Sequence, residues 1–209
     1  MGSILCRCLG QGSYEAEGKK EINANRMARL EQSQASYAER CYDVDKLRKM
    51  LSPEAKVATV DECTSLPVHF HEKRFYTADD LMKDAAQEEP PSDYSIWIDR
   101  VWNKDVMAFP HVIVRVATAE DVAACLTFVK KEAKGSLSIS VAGGAHSSCS
   151  FNDGPVLTID MKQMNGIEYD TASQECHVGA GAILRDVDKA CTKHGRFVPL
   201  GTNGDTGGE

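Results

Sequence analysis

At 209 residues the chain is a little longer than one ordinary domain, so one folded unit with an extension is expected rather than two complete domains. Hydrophobic residues at 42% and charged residues at 26% exclude a wholly disordered or collagen-like chain. Lysine and arginine number 24 against 31 aspartates and glutamates, a formal charge of −7; such a surface repels phosphate backbones, and nucleic acid is not expected as a partner.

The opening residues, Met1-Gly2-Ser3-Ile4-Leu5-Cys6-Arg7-Cys8, resemble an acylation signal. Gly2 would take myristate after methionine removal, with Cys6 standing where Ser or Thr is usual. One acyl chain holds a membrane only marginally, so palmitate on Cys6 and Cys8 would be the second anchor to a membrane surface. An unmodified, flexible start over residues 1–14 is the other reading. No apolar run reaches 18 residues, and the first ten are too short for a signal-peptide core. The eight cysteines (Cys6, Cys8, Cys41, Cys63, Cys125, Cys149, Cys176 and Cys191) are scattered, with no C-x-x-C pair. They read as free thiols in a reducing compartment, which makes the cytoplasm the expected location.

Residues 15–51 are rich in Glu, Lys, Arg, Gln and Ala and contain no proline. Ile22, Leu30, Tyr37, Cys41, Val44, Leu47 and Leu51 recur at helical intervals, which predicts one or two amphipathic helices. Ser52-Pro53 stops them, because proline cannot continue the hydrogen-bond ladder. A helical extension is assigned to residues 15–86, and the proline-doubled run Gln87-Glu88-Glu89-Pro90-Pro91-Ser92-Asp93 marks a linker over 87–104.

From residue 105 the texture changes. HVIVRVA at 111–117 is dense in β-branched residues and reads as a buried strand. Thr118-Ala119-Glu120-Asp121 is a capping box, after which Val122, Cys125, Leu126 and Val129 form one apolar helical face. Strands are expected at 137–141, 156–161, 166–169 and 176–178, a helix at 183–193 ending at Gly195, and a short strand at 196–200. The order β-α-β-β-β-β-α-β defines an α+β domain over 105–209. It stops on the turn Gly204-Asp205-Thr206-Gly207-Gly208-Glu209 with nothing to pack behind it, so the fold is expected to continue past the last residue.

The chemistry is concentrated in Val141-Ala142-Gly143-Gly144-Ala145-His146-Ser147-Ser148, directly after a strand. Small residues in succession let the backbone turn sharply and set its N–H groups against an anion. The run is not a dinucleotide fingerprint: it lacks G-x-G-x-x-G, no helix starts after it, and no P-loop lysine follows. Taken alone, a tight turn with an incidental histidine explains it at least as well as a phosphate cradle.

Further motifs bear on the choice. Phe109-Pro110-His111-Val112-Ile113-Val114-Arg115, Thr118-Ala119-Glu120-Asp121-Val122, Gly143-Gly144-Ala145-His146-Ser147, Asp160-Met161 with Met164-Asn165, Val178-Gly179-Ala180-Gly181-Ala182, and Gly201-Thr202 with Asp205-Thr206-Gly207 occur in this order. Together they resemble the N-terminal part of the FAD-binding domain of the vanillyl-alcohol oxidase and para-cresol methylhydroxylase superfamily, nearest to its berberine-bridge-like oxidases. The resemblance implies FAD as cofactor, with Gly143, Gly144, Ala145, His146 and Ser147 wrapping its pyrophosphate and His146 bonded covalently to the flavin. Thr202, Asp205, Thr206 and Gly207 would approach the flavin. Asn203 stands where some relatives carry a second, cysteine attachment, so one covalent bond is expected. Ala142 replaces a frequent arginine and Ala145 a usual glycine, which removes a cationic contact and places a methyl group in the tightest part of the turn.

The reaction this implies is oxidation of an alcohol or sugar-like small molecule, with hydride passing to flavin N5 and dioxygen as acceptor. The base would lie in the family's later, substrate-binding portion, so no catalytic residue is assigned. A membrane-associated interaction protein with a non-catalytic FAD-domain remnant is the alternative. Other candidates are weaker. Cys63, His69 and His71 lack a fourth ligand and a zinc spacing, so no metal is assigned. His177 and His194 read as a strand residue and a helix-end residue, and Cys125 and Cys191 as core. Trp97 and Trp102 read as a satellite cluster that packs the linker.

Overall fold

The computed structural model describes residues 11–63, 66, 92–101, 107–199, 201, 204, 206 and 207, and the backbone only of 11–20. Gly2, Cys6, Cys8, His69, His71, Trp102, Thr202, Asn203 and Asp205 lie outside the described residues.

Two helices arise from the stretch expected to give one or two. Helix α1, Gln11–Ala38, buries Leu30, Ser33 and Tyr37 at an i, i+3, i+7 spacing. Ser33 sits among apolar neighbours because its hydroxyl donates to the Phe109 carbonyl at 2.6 Å. Helix α2, Val44–Met50, starts at Asp43, whose carboxylate accepts the Asp45 N–H, and buries Val44 and Leu47.

The extension is not purely helical, as had been expected. Lys56–Thr59 forms strand β1, which pairs antiparallel with β2, Pro110–Arg115. Four residues are too few for a period-2 pattern to stand out, and only the partner strand fixes them. The expected linker also contains structure. Helix α3, Asp93–Ile98, starts at Ser92, whose hydroxyl accepts the Ser95 N–H, and buries Tyr94, Trp97 and Ile98. The Tyr94 hydroxyl donates to the Pro110 carbonyl at 2.6 Å. Trp97 belongs to the main core rather than to a satellite cluster: it is 2% exposed, and the Arg115 guanidinium lies 4.2 Å from its ring centre.

The main sheet has the order β1-β2-β4-β3, with β3 Ser138–Ala142 and β4 Gly154–Asp160 both parallel to their neighbours. Helix α4, Ala119–Lys131, carries the chain from β2 to β3 and opens with the capping box expected at Thr118 and Asp121. Its buried side differs in one place from expectation: Leu126 is 49% exposed and Phe128 is fully buried, because Tyr42 meets the Phe128 ring edge-on at 6.2 Å. One hydrophobic core runs from Leu30 of α1 through α3 and the sheet to Ile159, so the segments on either side of residue 105 share it.

A hairpin follows, β5 Ile167–Asp170 and β6 Glu175–Val178, then helix α5, Leu184–Thr192. Ala182, Val187 and Cys191 form a second small core beneath the hairpin. The two cores dock through glycine: a Cβ on Gly181 would fall 1.8 Å from the Met161 carbonyl oxygen, so only a bare backbone fits there. The strand expected at 196–200 does not form over 196–199, and Leu200 lies outside the described residues. The chain leaves α5 through Gly195 at φ +67°, with Gly195 N–H donating to Thr192 and Arg196 N–H to Cys191. That helix-ending motif consumes the amide a strand would need, and Pro199 has none.

Candidate functional site

The carboxyl ends of the three parallel strands meet in one row, with Arg115 of β2 and Ala142 of β3 both in register with Asp160 of β4. Ligands in sheets of this kind bind beyond those ends. Asp160 is fully buried and would be untenable there as a lone anion. Arg115 Nε donates to its Oδ2 at 2.8 Å, the Lys162 N–H to Oδ1 at 3.0 Å, and the Arg100 guanidinium to Oδ1 as an ion pair. The other arm of Arg100, Nη2, donates to the Gly143 carbonyl at 2.7 Å. Partial desolvation and the guanidiniums of Arg100 and Arg115 hold Lys162 below the usual lysine pKa. Two guanidiniums and one backbone amide thus grip one carboxylate at the root of the glycine loop.

The loop itself, residues 143–153, connects two adjacent parallel strands without a helix, so it must run back along the sheet from the carboxyl ends to the amino ends. It is fastened at both ends. Arg100 holds Gly143, and Asp153 accepts the Phe109 N–H at 2.8 Å and pairs with Arg29 of α1 at 2.6 Å. Within it Ser147 Oγ accepts the Cys149 N–H at 3.1 Å, and Ser150 and Phe151 are buried.

The sequence-predicted residues of the glycine loop that are among the described residues lie side by side after β3. Gly143 and Ala145 are buried, Gly144 and His146 half-buried, and Ser147 exposed. Ala145 has φ +58°, the left-handed region, with its methyl group fully buried. A Cβ on Gly144 would lie 2.2 Å from the Gly207 amide nitrogen, so the loop and the glycine-rich turn touch through backbone alone. The turn is fixed from below: the Thr206 and Gly204 carbonyls accept the Leu184 and Arg185 N–H groups, each at 2.9 Å, and satisfy the start of α5.

Ala142 itself supplies no cation. A cation does reach this point, but it comes from Arg100, 42 positions earlier, and the spacing in sequence carries no sign of it. Cys63 is buried with its thiol 3.3 Å from Ser95 Oγ, and among the described residues no group of three or more His, Cys, Asp or Glu could hold a metal. His194, just past α5, stacks on Tyr169 with ring centres 4.4 Å apart. Cys125 and Cys191 are fully buried, and burial pushes the Cys125 thiol up to about 12.

A bare-backbone cradle backed by cations and a half-buried imidazole fit a dinucleotide pyrophosphate and a flavin ring, so the class is a partial flavin-binding domain. Residues 110–208 match the FAD binding domain family. An FAD-linked oxidoreductase of Dictyostelium discoideum is 32% identical over 115 residues, which is 55% of this chain and 25% of that protein. The (R)-6-hydroxynicotine oxidase of Paenarthrobacter nicotinovorans is 30% identical over 112 residues, 53% of this chain and 24% of that protein. The crystal structure of 6-hydroxy-D-nicotine oxidase from Arthrobacter nicotinovorans superposes with a TM-score of 0.51 at 29% identity, covering 57% of this chain and 26% of that one. Residues 110–208 are thus similar to the FAD binding domain of FAD-linked oxidoreductases, and the chain spans about a quarter of the length of these relatives.

Proposed function

We propose that the chain is the cofactor-holding part of an FAD-dependent oxidase acting on an alcohol or sugar-like small molecule, with dioxygen as acceptor. The observation that carries this reading is the meeting of Gly144 with Gly207, which brings the glycine loop and the glycine-rich turn together through bare backbone, two residues before His146. When bound, the flavin supplies hydride acceptance at N5. The chain's own residues bind and orient. Backbone N–H groups of residues 143–147 would hold the pyrophosphate, with Arg100 fastening the loop at Gly143, and the His146 imidazole would form the single covalent tether. Thr202 and Asp205, outside the described residues, are the further flavin contacts that the resemblance implies, and no described residue is assigned as the proton-accepting base. The relatives named above are oxidases or oxidoreductases, which favours this over a non-catalytic remnant.

We further propose a cytoplasmic protein whose Gly2, Cys6 and Cys8 carry acyl groups that attach it to a membrane surface. Among the described residues no helix is long and apolar enough to cross a membrane. Labelling with a myristate analogue tests the lipid: label on the wild type that is lost in Gly2→Ala supports it, and an unlabelled wild type refutes it.

For the cofactor, the chain is expressed with riboflavin, precipitated with acid and washed. Flavin absorbance should stay in the wild-type pellet and leave the His146→Ala pellet. A colourless wild-type pellet, with no flavin in the supernatant, contradicts the proposal.

A further inference from the structure

We infer that Arg100 is a positioning residue for the cofactor loop, orienting the Gly143–Gly144 peptide so that its amide faces the pyrophosphate. The inference rests on the FAD reading above. A peptide joining two glycines rotates cheaply, because neither residue has a Cβ to restrict it. Nothing in residues 143 and 144 themselves selects one orientation, so it must be imposed from outside.

Arg100 imposes it. One arm of its planar fork is anchored on Asp160, which is itself immobilised by Arg115 and by the Lys162 N–H. The other arm donates to the Gly143 carbonyl at 2.7 Å. The Arg100 side chain is 15% exposed, so the contact is weakly screened by water. In a trans peptide the C=O and the following N–H point in opposite directions. Pinning the Gly143 oxygen toward the Asp160 cluster therefore aims the Gly144 N–H away from it, out of the loop root. A cation on the carbonyl also polarises the peptide and makes that N–H a stronger donor. Lysine could neutralise Asp160, but a single ammonium cannot reproduce the two-armed geometry.

The test titrates FAD, read by flavin fluorescence quenching, into chains carrying His146→Ala, where binding is reversible. In that background Arg100→Lys, Arg100→Met and Arg115→Lys are compared. Arg115 also holds Asp160 but has no contact with Gly143, so it reports on a merely structural role. Both Arg100 variants should raise Kd at least about tenfold, the loss of one charge-assisted hydrogen bond. Arg115→Lys should change it less than about threefold. With His146 intact, Arg100→Lys should also slow covalent flavin incorporation, while its flavin-free melting temperature stays within about 3 °C of the wild type. Should Arg100→Met fail to fold, Arg100→Lys decides. Binding by Arg100→Lys within twofold of its parent, or equal weakening by Arg115→Lys, overturns the inference. Failure of the parent chain to bind FAD at all overturns the cofactor reading, and the inference with it.

Discussion

Ala145 and Gly144 show how little room the site leaves for side chains. Ala145 holds φ +58° with its methyl group fully buried, a conformation that costs an L-residue about 1–2 kcal/mol and persists only because the surroundings enforce it. Its neighbour tolerates no methyl group: Gly144→Ala would drive a Cβ against Gly207. That variant should retain at most about a tenth of the wild-type flavin per chain, as overpacking of about 1–3 kcal/mol falls on the loop–turn contact. Unchanged retention would show that the two segments do not hold the cofactor together. The tight small-residue turn after β3 was legible in the sequence, because turn chemistry is local. Arg100 was not, because only the fold brings it to Gly143.

His111 gives a pH signature of its own. Its Nδ1 shares a 2.7 Å hydrogen bond with the Tyr42 hydroxyl, its Nε2 is buried without a partner among the described residues, and Tyr37 packs edge-on against the ring. Burial first, then Arg40, lowers its pKa from 6.5 to about 4. The unfolded chain therefore binds the proton more readily, so this contribution to stability is complete above about 6.5 and fades as pH falls toward 4, by at most about 1.4 kcal/mol per pH unit. His111→Gln should be less stable than the wild type at pH 7, with the difference shrinking between pH 6.5 and 4.5 in urea titrations. A constant difference across that range would mean His111 does not titrate between the two states.

At the scale of elements, Asp121 does more than close a capping box. Its carboxylate also accepts from the Ser52 N–H at 2.7 Å and the Ser52 hydroxyl at 2.9 Å, which ties the end of α2 to the start of α4. Burial alone would raise its pKa, but the hydrogen bonds from Ser52, Ala117 and Thr118 outweigh that and hold it below the ordinary carboxylate value. Asp121→Ala should cost about 2–4 kcal/mol in urea unfolding, well above the roughly 1 kcal/mol of an isolated cap. A loss below 1 kcal/mol would show the bridge to Ser52 to be incidental. The box was readable from Thr118-Ala119-Glu120-Asp121, whereas its partner Ser52 looked like nothing more than a helix stop. Elements with a strong local period, α1, α4 and β2 to β6, were likewise legible. Those set by partners were not: β1 needs β2, α3 needs the core that receives Trp97, and residues 196–199 lack the pairing their apolar run suggested.

At the scale of the molecule, the N-terminal segment and the flavin-binding half share one core, and α1 and the turn after α3 supply the arginines that fasten both ends of the glycine loop. Tryptophan fluorescence and far-ultraviolet ellipticity should therefore report a single coincident unfolding transition. Two separated transitions would show that residues 11–63 unfold as an independent unit.

The central claim is that this chain carries FAD on His146, and tryptic peptide mapping of flavin-loaded protein tests it most directly. Cleavage after Lys134 and Lys162 releases residues 135–162, which contain one histidine. This peptide should carry the mass of one flavin, with fragment ions placing it on His146. An unmodified 135–162 peptide from a protein that binds no dissociable FAD either would contradict it.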